Sequence, residues 1–185
     1  DSQDILDISK EFGVDYVVQR PDEMASDQTA KLPAIQHCIR TIEEITHCEY
    51  DTIVDLDVTS PLRIIDDIHK SIEMLENSLD TNNLITGTPS RRSPYFNLVE
   101  LNEKGFVRRS KNLDNPIIRR QDSPKCFDMN ASIYLWKRKA FYQAKTVITD
   151  ETRLFVMPEE RSIDIDSELD FEIVKLLMKN KELTS

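Results

Sequence analysis

Apolar residues recur along the chain at two spacings, and the alternation between them predicts the order of elements. Ile5, Leu6, Ile8 and Phe12 lie at helical spacing and run into Gly13, where a left-handed C-cap is expected, so a short amphipathic helix comes first. Val14 to Gln19 reads as a strand. Arg20-Pro21-Asp22-Glu23 begins a loop, because proline disfavours helix at the residue before it and fixes its own φ. From Pro33, well placed in a first helical turn, Ile35, Cys38, Ile39, Ile42 and Ile45 return at helical spacing. Asp51 to Val58 is a β-branched run with Ile53, Asp55 and Asp57 on one face and Val54, Leu56 and Val58 on the other. Thr59-Ser60-Pro61 ends it. Ile65, Ile68, Ile72, Leu75 and Leu79 then form a third helical stripe, and Leu84 to Thr88 supplies the next strand.

Strand, short loop and helix recurring in this way is the βαβ signature of an α/β fold, a mostly parallel sheet with helices on both faces. The middle changes character. Tyr95 to Leu101, the turn Asn102-Glu103-Lys104-Gly105 and Phe106 to Arg109 predict an antiparallel hairpin, an excursion from the parallel pattern. Lys111 to Pro124 is polar, basic and proline-bearing and reads as a substrate-side loop. Ile133 to Trp136 returns to strand, Thr152 to Met157 predicts another, and Leu169, Ile173, Leu176 and Leu177 mark a closing helix. No internal repeat or low-complexity segment interrupts this order. A chain of 185 residues, 39% hydrophobic, is expected to be one domain over 1–185, with 90–125 as the excursion.

Composition narrows the chemistry. The formal charge of −10 argues against a protein that coats nucleic acid, whose phosphates need a basic surface. A small anionic substrate remains compatible, since a divalent ion and a few arginines reverse the sign locally. With only three glycines there is no glycine-rich phosphate loop. Asp1 to Asp7 has neither the basic nor the apolar region of a signal peptide, and no apolar stretch approaches a membrane span, so the expectation is a cytoplasmic protein. Cys38, Cys48 and Cys126 are odd in number and widely spaced, as reduced thiols are. His37-Cys38 and His47-Cys48 suggest zinc, yet a separation of ten positions on one helix puts them on different faces.

The acids are more informative. Asp57 falls at the carboxyl end of a strand, where ligands collect in parallel α/β sheets. Asp164 and Asp166 alternate with Ile163 and Ile165 at strand period, so both acids project from one face. Hard oxygen ligands of this kind suit Mg²⁺, which takes one or two carboxylates together with substrate phosphates. The plainer reading is that Asp166 or Ser167 caps the last helix, with Asp170 complementing its dipole.

Four segments together resemble the acylneuraminate cytidylyltransferases, the CMP-sialic acid synthetase family, and within it the enzymes that activate bacterial analogues such as legionaminic acid. They are Leu56-Asp57-Val58-Thr59-Ser60-Pro61-Leu62-Arg63, Arg119-Arg120-Gln121-Asp122-Ser123-Pro124, Asn130-Ala131-Ser132-Ile133-Tyr134 and Ser162-Ile163-Asp164-Ile165-Asp166-Ser167-Glu168-Leu169-Asp170-Phe171. The resemblance implies a Rossmann-like nucleotide-diphospho-sugar transferase fold and transfer of CMP from CTP to a nonulosonic sugar acid. It makes Asp164 and Asp166 the Mg²⁺ ligands and Arg120 the carboxylate-binding arginine. Gln121 is that arginine's neighbour, Asn130 and Tyr134 line the sugar pocket, and Thr59 and Arg63 belong to the substrate-binding string. Arg20 lies beside the nucleotide and Lys31 in a stretch that contacts it. Members are commonly dimers built partly through the hairpin.

The chain also departs from the pattern. Asp57 stands where a glutamine that contacts the sugar is usual, which implies either a different hydroxyl pattern on the sugar or a third metal ligand. Ala131 replaces a glycine. Phe96 in Ser93-Pro94-Tyr95-Phe96 replaces a lysine, and Arg91 and Arg92 are the nearest substitutes. Nothing matches the Arg-x-Gly-Ser-Lys loop that cradles the triphosphate at the family's N-terminus, and Asp1-Ser2 aligns with a later segment. These residues by themselves are therefore expected to bind CTP poorly. Two other functions fit the same residues. One is a non-catalytic homologue that keeps the sugar pocket as a binding or assembly partner. The other is a glycosyltransferase of related fold using Asp55-Leu56-Asp57 or Asp164-Ile165-Asp166 as an Asp-x-Asp motif, which the Thr59 to Arg63 string and Arg120-Gln121 disfavour.

Overall fold

The structure, a computed structural model, describes residues 2–25, 30–113 and 119–182, without the side chains of Arg120 and of 180–182. Its helices are α1 (Gln3–Glu11), α2 (Lys31–Thr46), α3 (Ile65–Glu76), α4 (Arg138–Gln143) and α5 (Glu168–Glu182). Its strands are β1 (Thr52–Leu56), β2 (Asn83–Pro89), β3 (Val99–Leu101), β4 (Val107–Arg109), β5 (Phe127–Lys137) and β6 (Thr152–Val156).

Four strands form one sheet in the order β1-β5-β2-β6. The Arg138 N–H donates to Asp51 O at 2.8 Å and the Asp57 N–H to Ser132 O at 3.3 Å, so β5 runs against β1. It also runs against β2, since Lys137 N–H meets Asn82 O at 3.0 Å and Ser90 N–H meets Cys126 O at 2.9 Å. The Met157 N–H donates to Gly87 O at 2.8 Å and the Thr152 hydroxyl to Asn83 Oδ1 at 2.8 Å, which aligns β6 with β2. Three of the four strands thus share a direction, but β5 is antiparallel to both of its neighbours, so the fold is α/β as expected while the sheet is mixed and not mostly parallel: of its three pairings only that of β2 with β6 is parallel. The reversal of β5 has no sequence signature, because an apolar run reads alike in both directions. At Gly87 a Cβ would stand 2.8 Å from Asp128 O, so only glycine allows this close approach.

The chain divides into two compact units. The first comprises Asp1–Asp55, Ser71–Leu84 and Tyr134–Arg153. Leu32, Ile53, Leu75, Leu84, Leu135, Trp136 and Phe141 are buried there. The Trp136 ring stacks on Tyr134 at 6.0 Å and tilts against Phe141 at 5.6 Å. At the edge of this core Glu43 accepts from Arg138 Nε at 2.9 Å and Nη2 at 3.0 Å, and from the Tyr142 hydroxyl at 2.7 Å. The second unit comprises Leu56–Lys70, Ile85–Ile133 and Leu154–Ser185. Leu62, Ile85, Ile133, Met157 and Val174 are buried in it. The expected hairpin is there, β3 pairing antiparallel with β4, Leu101 opposite Val107 and Val99 opposite Arg109. Gly105 supplies the left-handed turn residue at φ 78°, and Asn102 Oδ1 accepts the N–H groups of Lys104 and Phe106.

Several expectations differ from the structure. Val14 to Gln19 forms no strand, since a strand exists only where a neighbour completes its ladder. β1 stops at Leu56, not Val58, because the Asp57 side chain bonds Thr59 and turns the chain. The segment 162–167, read as strand-like, lies in no sheet. The third stripe is rotated: Ile65 and Leu79 are exposed, and Asp67, Ser71 and Leu75 are the buried positions around α3. α4 was not anticipated, being too short to show a period. Cys38 is half-buried, and that partial burial together with Asp55 pushes its thiol pKa up. Among the described residues no helix is long and apolar enough to cross a membrane.

Glu43 links this packing to pH. Its hydrogen bond from Arg138 lowers its pKa from an ordinary 4.5 to about 2, while burial and Glu43 push Tyr142 up to about 12. A carboxylate depressed in the folded state stabilises fully above its unfolded pKa and loses that contribution as pH falls through the folded value. Glu43→Gln is expected to cost about 1.5–3 kcal/mol at neutral pH. Urea denaturation as a function of pH should also show a shallower loss of stability for this variant between roughly pH 4.5 and 2.

Candidate active site

The second unit gathers most of the singled-out residues around the exit of β1. Asp57 Oδ1 accepts the Thr59 hydroxyl at 2.9 Å and the Thr59 N–H at 3.2 Å, an Asx-type turn. Arg63 Nη1 donates to three carbonyls, Asp57 O at 2.6 Å, Ser60 O at 2.8 Å and Ser132 O at 3.3 Å. The guanidinium therefore clamps the turn to the neighbouring strand, and the Ser60 hydroxyl adds a bond to Asn130 O at 3.1 Å.

Asn130 is a buried hub. Its Oδ1 accepts the Thr86 hydroxyl at 2.7 Å and the Ser132 N–H at 3.3 Å, and its Nδ2 donates to Ser162 Oγ at 3.0 Å. Ala131, next to it, has φ 49°, inside the left-handed region that favours glycine. This residue breaks the two-residue alternation of β5, so that Asn130, Ser132 and Ile133 are all buried.

The acidic segment is held by side chains and by a backbone bond. Arg161, last residue of the 3-10 turn Glu159–Arg161, donates to Asp67 through Nε and Nη2, both at 2.9 Å. Asp67 is only 3% exposed and also accepts the Ile64 N–H at 3.0 Å. Asp67 accordingly raises the pKa of Arg161. Beyond Ser162 on Asn130, the Ile165 N–H donates to Thr59 O at 2.9 Å, which joins the acidic segment to the Asp57 turn. Burial, followed by the charges of Asp166, Asp170 and Asp57, raises the Asp164 pKa. Asp166 is exposed. Ser167 caps α5, its hydroxyl accepting the Asp170 N–H at 3.3 Å and donating to Asp170 Oδ2 at 2.6 Å. The cap thus falls to Ser167 and leaves the carboxylates of Asp164 and Asp166 out of it. Among the described residues no three or more His, Cys, Asp or Glu side chains are gathered as metal ligands.

The remaining residues lie elsewhere. Gln121, in the 3-10 turn Arg120–Asp122, lines a cavity with Ser90 and Ser93. The Arg120 side chain falls outside the described residues. In the first unit Lys31 Nζ stands 2.8 Å from Asp55 and 4.7 Å from the centre of the Tyr134 ring, so these two singled-out residues meet. Tyr134 is buried beside Trp136, and Arg20 is exposed ahead of the turn Asp22–Met24. Asp67, Arg161, Thr86 and Ser162 were missed. Arg161 and Asp67 are 94 positions apart, and neither belongs to a local pattern that betrays a partner.

Removing one partner of a desolvated pair strands the other's charge. Asp67→Ala is expected to cost about 3 kcal/mol, whereas Asp67→Leu combined with Arg161→Met should recover most of that loss in chemical denaturation.

No family model matches the chain. It is 44% identical over 184 residues to the "Post-translational flagellin modification protein B" of Campylobacter coli, covering 99% of this chain and 76% of that protein. It is 42% identical over 184 residues to the "CMP-N,N'-diacetyllegionaminic acid synthase" of Campylobacter jejuni, covering 100% of this chain and 77% of that one. An N-acylneuraminate cytidylyltransferase of Streptococcus agalactiae is 26% identical over 171 residues, 92% of this chain and 39% of that protein. Among solved structures, a CMP:2-keto-3-deoxy-manno-octonic acid synthetase complexed with CTP superposes with a TM-score of 0.62 at 13% identity, over 98% of this chain and 79% of that one. A 4-diphosphocytidyl-2C-methyl-D-erythritol synthase from Anaerococcus prevotii does so with a TM-score of 0.54 at 14% identity, over 97% and 78%. These two show the fold alone, Rossmann-like α/β, while the Campylobacter identities carry descent: the chain belongs to the CMP-sialic acid synthetase, or acylneuraminate cytidylyltransferase, family.

Proposed function

We propose that this protein is a nucleotidyltransferase that moves CMP from CTP to a sialic-acid-like nonulosonic acid, N,N'-diacetyllegionaminic acid being the first candidate, with release of pyrophosphate. The observation that carries this reading is the 42% identity to a CMP-N,N'-diacetyllegionaminic acid synthase along essentially the whole chain. The second unit supports it, since the acidic segment and the Thr59 turn are hydrogen-bonded to each other at the exit of β1.

In this reading the anomeric hydroxyl of the sugar attacks the α-phosphorus of CTP and pyrophosphate leaves. The chain's own work is positioning. Arg120 holds the sugar carboxylate, Gln121, Asn130 and Tyr134 shape the pocket, and Arg20 and Lys31 attend the nucleotide. Asp57 and Arg63 keep Thr59 in place through the turn bonds. Two carboxylates left out of the α5 cap, one of them with its pKa raised by burial and then by its acidic neighbours, are a donor set that suits a hard divalent cation. Asp164 and Asp166 would hold Mg²⁺, which when bound neutralises phosphate charge. Free Cys38, Cys48 and Cys126 agree with a cytoplasmic enzyme.

Residues 90–125 serve in this reading as substrate loop and as the surface for a second copy. The exposure of Leu101, Phe106 and Val107 on the hairpin supports a homodimer. Phe106→Asp with Val107→Asp should convert the dimer to monomer in sedimentation velocity, and a monomeric parent would overturn the assembly.

Pyrophosphate release from CTP with Mg²⁺ and a panel of sialic, legionaminic, pseudaminic and ketodeoxyoctonic acids tests the activity. With CTP in large excess, as the expected weak CTP binding requires, release with a nonulosonic acid is expected. Asp166→Ala should lower turnover by about a hundredfold or more while leaving the thermal midpoint unchanged. Retained turnover would remove Asp166 from the chemistry.

A further inference from the structure

A cavity of about 600 Å³ lies within the second unit, and Ser90, Arg92, Ser93, Gln121, Lys125 and Cys126 are on its wall. That volume falls in the range of small-molecule sites. Both charged residues there are cations, and no Asp or Glu is among the described residues that line it. On a chain of formal charge −10 an acid-free cationic wall is conspicuous. Arg91, next in sequence, has Glu159 at 3.7 Å, whereas no ion pair among the described residues engages Arg92 or Lys125. Asp128, which lines an adjoining cavity with Arg92, accepts the Ser90 hydroxyl at 2.7 Å.

The walls are tied to each other. Arg92 follows β2 and Lys125 precedes β5, and these strands are joined beside the cavity by the Ser90 N–H on Cys126 O at 2.9 Å. Two like charges are thereby kept on one wall, an arrangement that gains when an anion enters. The rest of the lining selects which anion. Serine hydroxyls and the Gln121 amide suit hydroxyl and amide groups, and Pro89, Pro124 and Phe127 offer apolar surface. A triphosphate would be matched by a nest of backbone N–H groups and more positive charge. One carboxylate on a body carrying hydroxyls and acyl methyls matches this wall better.

Resting on the reading above, we infer that Arg92 and Lys125 bind the carboxylate of the sugar acid in this cavity and thereby set the preference for acidic sugars. Each forms a charge-assisted hydrogen bond to it. Both side chains are solvent-exposed, so replacing them leaves the core untouched.

The test is steady-state kinetics with N,N'-diacetyllegionaminic acid and CTP. Arg92→Gln and Lys125→Gln are each expected to raise the KM for the sugar acid about tenfold, with kcat and the KM for CTP within about twofold of the parent. Arg92→Lys should restore most of the loss, since charge is what matters. An unchanged sugar KM in both variants, or a rise in the KM for CTP in its place, overturns the inference. A parent that releases no pyrophosphate with any acid of the panel overturns the proposed function itself. An active parent with indifferent variants overturns only the assignment of Arg92 and Lys125.

Discussion

The ion pair of Arg161 with Asp67 is the constraint on which the placement of the acidic segment in the second unit depends. The acidic segment that follows Arg161 belongs to no sheet, so nothing in the regular backbone pattern fixes where Asp164 stands. Its position comes from Arg161 on Asp67, Ser162 on Asn130 and Ile165 on Thr59. The first of these is the least negotiable, because both oxygens of a carboxylate only 3% exposed are committed to one guanidinium. An aspartate in the first turn of a helix is ordinarily a solvated complement to its dipole. Here burial turns it into an anchor and rotates α3 away from the face its apolar stripe predicts.

Charge is sorted within that unit. The Asp57 turn and the acidic segment collect carboxylates, and partial burial, followed by mutual repulsion, raises the Asp164 pKa. The cavity with Arg92 and Lys125 on its wall collects cations without a neutralising acid. Opposite charges kept apart in this way leave two reserves, one that a cation at the acids and one that an acid at the cations would use. A transfer reaction that depends on positioning and charge neutralisation draws on both reserves.

The elements with local causes could be read directly. Helical spacing disclosed α2, the β-branched run disclosed β1, and the Asn102 to Gly105 turn disclosed the hairpin, since each is decided by neighbours in sequence. The fold class and the acids near the C-terminus followed from the order of those elements and from the resemblance. What escaped was set by contacts across long separations. Arg63 reads as one more substrate-binding cation, yet its donors serve carbonyls of Asp57, Ser60 and Ser132. Asn130 is a member of a recognised motif, but its role as a hub emerges only with Thr86 and Ser162 around it. The failed strand at Val14 to Gln19 shows the same limit, because propensity proposes a strand and only a neighbour completes it.

Ala131 gives the sheet a memory of its own construction. An L-residue with φ 49° carries a conformational penalty of about 1–2 kcal/mol that a glycine would not. That penalty sits inside the longest strand, between two buried polar residues, and the bonds around Asn130 must outweigh it for the chain to keep this shape. Loosening any of those bonds therefore does more than remove one contact: it lets the backbone relax toward ordinary β geometry and re-aims every side chain from Asn130 to Ile133 at once.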